Sequence, residues 1–184
     1  MPHPRILDIA RSALMVVDVQ EAFRKAIPDF PLLASRAATA VRGFALLGRP
    51  VVITEQYPKG LGRTAEEIRM TLDDDFHFVE KSEFSGCLAT VVDDLRGRGV
   101  SQVCVCGIEA HICVNQTVHG LLDAGFEVHV LADAVASRTD ENRAIALAKM
   151  SSSGAVLSSV EMALFEMLGD SRHERFREVQ DLIK

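Results

Sequence analysis

Short apolar runs alternate along the chain with segments whose apolar residues recur at helical spacing. The runs at residues 13–19, 51–54, 77–80, 102–106, 127–131 and 155–157 are predicted strands. Helices are predicted at residues 32–47, 87–98, 112–124, 142–150, 160–168 and 172–183. Most of the strands are continuously apolar instead of alternating, which is typical of a parallel sheet covered on both faces. The pattern therefore predicts the α/β class, as a three-layer α/β/α sandwich around a six-stranded parallel sheet.

The chain is predicted to form one domain over residues 1–184. A single domain usually takes roughly 100–200 residues, and no repeat or flexible linker divides the sequence. Residues 55–75 form a long polar connection between predicted strands. The last predicted helix has Phe176, Val179, Leu182 and Ile183 on one side, so it either closes the domain or docks on a neighbouring molecule.

Composition and charge narrow the range of partners. The sequence is 48% hydrophobic and 25% charged, as in globular proteins, and its net charge is −6. No basic patch stands out, so we expect no nucleic-acid partner. The longest uninterrupted apolar run, 13–17, is far shorter than the roughly 20 residues that a membrane span needs, so we expect no membrane partner. The first residues do not have the pattern of a signal peptide, and we expect a cytoplasmic protein with reduced cysteines.

Three reactive side chains lie where predicted strands end. Asp18 interrupts the apolar run of the first strand near its end, Lys81 directly follows the third, and Cys113 lies a short loop beyond the fourth. Ligands of parallel sheets bind at the carboxyl ends of the strands, so these groups are expected to converge there. A buried Asp18 needs a partner, and Lys81 can supply it. Each group alone is also consistent with a solvated or packed residue.

Cys113 is favoured as the nucleophile among the cysteines. A position at a helix start, with a cation nearby, is expected to lower the pKa of its thiol. Cys104 and Cys106 lie inside a predicted strand and are expected to be packed and inert. Cys87, close to the Lys81 loop, stays a second candidate for a reactive thiol.

The turn before Cys113 presents backbone N–H groups that suit an oxyanion. His111, within this turn, is either a base or a capping or surface residue. Gln20, Phe23 and Tyr57 are candidates for lining the substrate crevice. The alternative is that Phe23 packs in the core and that Gln20 is only a polar strand end.

Together these segments resemble the isochorismatase-like cysteine hydrolases, and the likeness covers about residues 12–168. The resembling stretches are Leu14–Gln20, Thr54–Gly62, Glu80–Ser85, Gly107–Thr117, Ala132–Arg138 and Ser158–Phe165. The resemblance implies a six-stranded parallel sheet and a catalytic triad that falls on Asp18, Lys81 and Cys113. It further implies a cis peptide at Ile108–Glu109, an oxyanion held by the N–H groups of Glu109 and Cys113, and a homo-oligomer.

Two departures from the family pattern refine the expected activity. Nicotinamidases of this family bind a metal through histidines in the connection after the second strand, and residues 55–64 contain no histidine. We therefore predict no metal and no other cofactor. Isochorismatases proper cleave a vinyl ether and lack the nucleophilic cysteine, so Cys113 favours hydrolysis of a small amide or related acyl compound through a thioester. The alternatives are vinyl-ether hydrolysis without a covalent intermediate, and a thiol-redox or binding protein without turnover.

Overall fold

Six parallel strands form the sheet of the computed structural model, which describes His3 and residues 5–184. They are β1 Ser12–Val17, β2 Val51–Gln56, β3 Val79–Lys81, β4 Gln102–Gly107, β5 Glu127–Val135 and β6 Val156–Ser158. Their order across the sheet is β3-β2-β1-β4-β5-β6, and every neighbouring pair runs parallel. The predicted class, strand number and strand direction are therefore confirmed.

Helices cover both faces of the sheet. They are α1 Phe30–Leu46, α2 Pro58–Leu61, α3 Glu66–Arg69, α4 Ala89–Gly97, α5 Asn115–Asp123, α6 Asp140–Ser152, α7 Val160–Leu168 and α8 Phe176–Leu182. Alternate residues of β1 point to opposite faces: Leu14 and Val16 pack with α1, α7 and α8, whereas Ala13, Met15 and Val17 pack with α4, α5 and α6. This alternation divides the core into two apolar layers. No described helix is long and apolar enough to cross a bilayer.

The order of the strands determines where a site can form. The chain moves from β1 outward to β2 and β3, then crosses back to place β4 on the other side of β1. A crevice opens at the carboxyl ends of strands where the order reverses in this way. Here the reversal lies between β1 and β4, so the residues that follow these two strands meet at the crevice.

Several element boundaries differ from the prediction for identifiable reasons. β1 ends at Val17 instead of Val19 because Asp18 takes a left-handed backbone conformation, with φ 53°. Lys81 is the last residue of β3 instead of the residue after it. The predicted helix over 112–124 begins with a π-helical turn, Ala110–Val114, before α5. The final helix is shorter than predicted, and its Val179 is fully buried against the α1 layer, so it closes the domain.

Candidate active site

A buried ion pair lies at the carboxyl ends of β1 and β3. The Lys81 Nζ atom is 2.6 Å from Asp18 Oδ2, and the side chains are 0% and 2% exposed. The other carboxylate oxygen, Oδ1, accepts a hydrogen bond of 2.7 Å from the Thr54 hydroxyl. Both oxygens of Asp18 therefore have a donor, which is what a buried carboxylate needs to remain charged.

The Lys81 ammonium donates to three neutral oxygens as well as to Asp18. They are the Gln56 Oε1 at 2.7 Å and the carbonyl oxygens of Glu83 and Phe84 at 3.1 and 3.0 Å. The loop after β3 thus folds back over Lys81, the last residue of that strand. Because an ammonium carries three protons, these four acceptors saturate it and fix its position.

Cys113 is 8% exposed and lies within the π-helical turn after β4. Its burial, together with the negative charge and hydrogen-bond acceptance of Asp18, raises the pKa of Cys113 to about 12, and Lys81 opposes this only partly. The prediction of a lowered thiol pKa is therefore wrong, because burial and the carboxylate outweigh the cation. A thiol with such a pKa is mostly protonated near neutral pH, and the Asp18 carboxylate is its hydrogen-bond acceptor.

The N-terminal part of the turn that carries Cys113 is tethered to the residues after β5. The Glu109 carboxylate accepts from Arg138 Nε at 2.9 Å, and Ala110 N–H donates to the carbonyl of Ala136 at 2.8 Å. His111 Nδ1 lies 3.0 Å from the Ser137 hydroxyl. These contacts bind the turn to the residues that follow β5, and they indicate that the side chains of Glu109 and His111 support the turn.

The backbone at Glu109 has features suited to an oxyanion. The Ile108–Glu109 peptide bond is cis. The Glu109 carbonyl accepts from the N–H groups of Ile112 and Val114, whereas the Glu109 N–H donates to no acceptor among the described residues. A backbone N–H group without a protein partner, four residues before Cys113, is available to an oxygen of a bound molecule.

The three predicted crevice residues have separate environments. Gln20 is fully buried, and its amide bonds to backbone atoms of Gln56 and Gly62, so it clamps two segments and does not line an open crevice. Phe23 is half-buried and packs against the apolar layer that includes α1, in agreement with the alternative that it belongs to the core. Tyr57 is 60% exposed, with φ 38°.

The remaining cysteines differ from Cys113 in their surroundings. Cys104 and Cys106 are fully buried in β4, and burial raises the pKa of both thiols. Their predicted packing in the core is confirmed. Cys87 is half-buried, and burial raises its thiol pKa as well. Among the described residues, no group of three or more His, Cys, Asp or Glu has an arrangement that could hold a metal ion.

Thr117 joins the cysteine to the Lys81 loop, and nothing in the sequence marked it. Its hydroxyl donates to the Cys113 carbonyl at 2.7 Å and accepts from the Gly86 N–H at 2.7 Å. The sequence does not single out Thr54 or Gln56 either, although both lie at the carboxyl end of a strand, as Asp18 and Lys81 do. A threonine inside a helix offers no comparable signal.

Replacing Thr117 by valine should lower the free energy of unfolding by about 1–3 kcal/mol, because it leaves the buried Gly86 N–H without an acceptor. Urea unfolding followed by circular dichroism measures the loss. Thr117→Ser keeps the hydroxyl, so its free energy of unfolding should fall by less. Equal losses in the two variants would show that the methyl group, and not the hydrogen bonds, carries the effect.

The fold and this site define the class of protein: an α/β sandwich with a polar, cysteine-containing site at the switch point of its sheet. A family model described as Isochorismatase domain matches residues 12–162. Isochorismatase domain-containing protein 2 of Xenopus laevis is 42% identical over 173 residues, covering 94% of this chain and 83% of that protein. Secreted isochorismatase effector Isc1 of Phytophthora sojae is 41% identical over 177 residues, covering 94% and 84%.

A solved structure has the same fold as this chain. The MAR1 ribonuclease of Caenorhabditis elegans superposes with a TM-score of 0.92 and 38% identity, covering 97% of this chain and 92% of that one. The chain belongs to the isochorismatase family and is an isochorismatase-family hydrolase.

Proposed function

We propose that the chain hydrolyses a small amide or related acyl compound through a thioester on Cys113. The observation that carries the proposal is the buried Lys81–Asp18 ion pair next to Cys113, whose thiol pKa is raised by burial and by Asp18. A thiol with a pKa of about 12 is almost entirely protonated near neutral pH, so it needs a base at the moment of attack. Asp18 supplies that base.

The reaction has two halves that use Asp18 in opposite senses. As the Cys113 sulfur attacks the acyl carbon, its proton passes to the Asp18 carboxylate, and the substrate oxygen becomes an oxyanion on the N–H groups of Glu109 and Cys113. Protonated Asp18 then gives the proton to the leaving nitrogen, and the C–N bond breaks. In the second half Asp18 takes a proton from water, the water oxygen attacks the thioester, and the sulfur leaves and recovers the proton.

Lys81 has a distinct part in this scheme. Its ammonium lies 2.6 Å from the carboxylate that changes its protonation, with no access to bulk water. It is the counter-ion of the Asp18 carboxylate and holds that carboxylate in the position from which it accepts the proton. The proposed role is therefore electrostatic and positional, and Lys81 itself transfers no proton.

Turnover of a panel of small amides by wild-type and Cys113→Ala protein tests the proposal. We expect release of amine or ammonia by the wild type, and less than roughly 0.1% of that rate in the variant, because no nucleophile remains. Intact mass after rapid quenching should show an acyl adduct on Cys113. Cys87→Ala, which removes a half-buried thiol outside the ion-pair network, should keep the wild-type rate.

The competing activities give different results in the same experiment. Turnover that persists in Cys113→Ala, on a vinyl ether or an amide, would exclude the thioester. Disulfide or sulfenate formation at Cys113 without any turnover would favour a redox protein. RNA cleavage, the activity in the name of the C. elegans relative, needs attraction to a polyanion, which a chain of net charge −6 does not supply overall. We therefore expect no cleavage of single-stranded RNA.

The proposal also includes assembly of the chain into a homo-oligomer.

A further inference from the structure

Gln56, the last residue of β2, is held by another glutamine. The Gln56 N–H donates to Gln20 Oε1 at 2.8 Å, and Gln20 Nε2 donates to the Gln56 carbonyl at 3.1 Å. The buried Gln20 amide thus pairs with the Gln56 backbone through both of its polar ends. Gln20 Nε2 also donates to the Gly62 carbonyl at 2.7 Å, which ties the connection after β2 to the same point.

The side chain of Gln56 has only one orientation that satisfies its neighbours. Its Nε2 donates to the Ser82 carbonyl at 2.8 Å, and its Oε1 accepts from Lys81 Nζ at 2.7 Å. The reversed amide would place NH₂ against an ammonium and oxygen against a carbonyl, which are both repulsive. The amide oxygen therefore faces Lys81 and is fixed there from both sides.

A neutral oxygen at this place affects the charge of the site differently from a carboxylate. It accepts a hydrogen bond from Lys81 without adding negative charge, so the full field of the ammonium acts on Asp18 and on the Cys113 thiol. A carboxylate in the same place would share the ammonium with Asp18 and weaken that field. The charged groups that act on the Cys113 thiol are Asp18, Lys81 and Glu109. Of these, only Lys81 touches Gln56.

We propose that Gln56 is a positioning residue, which fixes the Lys81 ammonium against Asp18 and thereby sets the reactivity of Cys113. The inference rests on the proposed function, because it assigns Gln56 a part in activating the same nucleophile. Gln56 acts through Lys81 and does not itself touch the sulfur in this scheme. Its amide is the last link of a chain of hydrogen bonds that runs from Gln20 to Lys81.

The test is the rate at which iodoacetamide alkylates each cysteine, measured by mass spectrometry of the peptides. The pH range is 7 to 9.5, which lies well below the Cys113 pKa of about 12. A rise of one unit in thiol pKa lowers the thiolate fraction tenfold but raises its nucleophilicity about threefold, so the rate falls about threefold. Gln56→Leu removes the oxygen and should slow Cys113 about threefold. Gln56→Glu adds an opposing charge and should slow it about tenfold.

The matched control is Gln102→Leu. Gln102, like Gln56, is a strand-end glutamine with a hydrogen-bonded side chain, but it is fully buried and lies at the amino end of β4, where it accepts from the Asp8 N–H and donates to Glu127. Its loss should destabilise the opposite end of the sheet, so the Cys113 rate should stay the same or rise, and should not fall. Cys87, in the same digest, is the internal reference and should keep its rate in every variant.

The direction of the change separates positioning from general loosening of the fold. A loosened structure exposes a buried thiol and speeds its alkylation, whereas a weakened field from Lys81 slows it. Wild-type or faster alkylation of Cys113 in both Gln56 variants overturns the inference. Failure of the proposed function is a different observation, namely amide turnover that persists in Cys113→Ala.

Discussion

Replacing Lys81 by methionine should lower the free energy of unfolding by about 3–5 kcal/mol and abolish turnover. The substitution removes the cation 2.6 Å from a carboxylate that is 2% exposed, and leaves the Thr54 hydroxyl as its side-chain donor. Breaking one partner of a buried pair costs more than the pair itself contributes, because the remaining charge has no solvent and no counter-ion. Urea unfolding near neutral pH measures the effect.

Two further variants identify the cause of that loss. Asp18→Asn combined with Lys81→Met removes both charges, so the double variant should be more stable than the sum of the single losses predicts, by about 1–3 kcal/mol. Arg98→Met breaks an exposed pair with Asp94, whose side chains are 58% and 49% exposed, and should cost less than about 1 kcal/mol. A Lys81→Met loss as small as that of Arg98→Met would show that Asp18 is not held as a buried ion.

The fold could be predicted because its signals are local. Buried parallel strands are apolar on both faces, so runs such as 102–106 are visible without knowledge of their neighbours. The strand ends were less accurate. A left-handed residue at Asp18 and a π-helical turn around Cys113 both depend on contacts between strands that are distant in sequence.

The candidate site could be predicted in its members but not in its electrostatics. A charge within an apolar strand needs a partner, so the sequence predicts that Asp18 pairs with Lys81, as it does in the structure. The pKa of Cys113 depends on the balance of burial, a carboxylate and an ammonium, and this balance is determined by distances that the sequence does not contain. Gln20 shows the same limit, because its partners on Gln56 and Gly62 are more than 35 residues away.

Gly107, the last residue of β4, should tolerate no side chain. Its φ is +129°, and a Cβ atom built there would lie 2.1 Å from the carbonyl oxygen of Val17, at the end of β1. That neighbour is backbone and cannot move aside without separating the strands at the point where Asp18 and the Cys113 turn meet. The same carbonyl accepts from the Ile108 N–H at 2.9 Å, so this bond would be lost as well.

We therefore expect Gly107→Ala to lose more than about 4 kcal/mol of unfolding free energy, or to accumulate as insoluble protein. The measurement is soluble yield followed by urea unfolding. Gly125→Ala is the matched control, because its φ is +86° but a Cβ atom there meets nothing within 4 Å. Its free energy of unfolding should fall only by the cost of an alanine in the left-handed backbone conformation, about 1–2 kcal/mol. Similar losses in the two variants would mean that backbone conformation alone requires glycine at position 107. The larger loss that we expect for Gly107→Ala would instead show how closely β1 and β4 must approach each other to assemble the site.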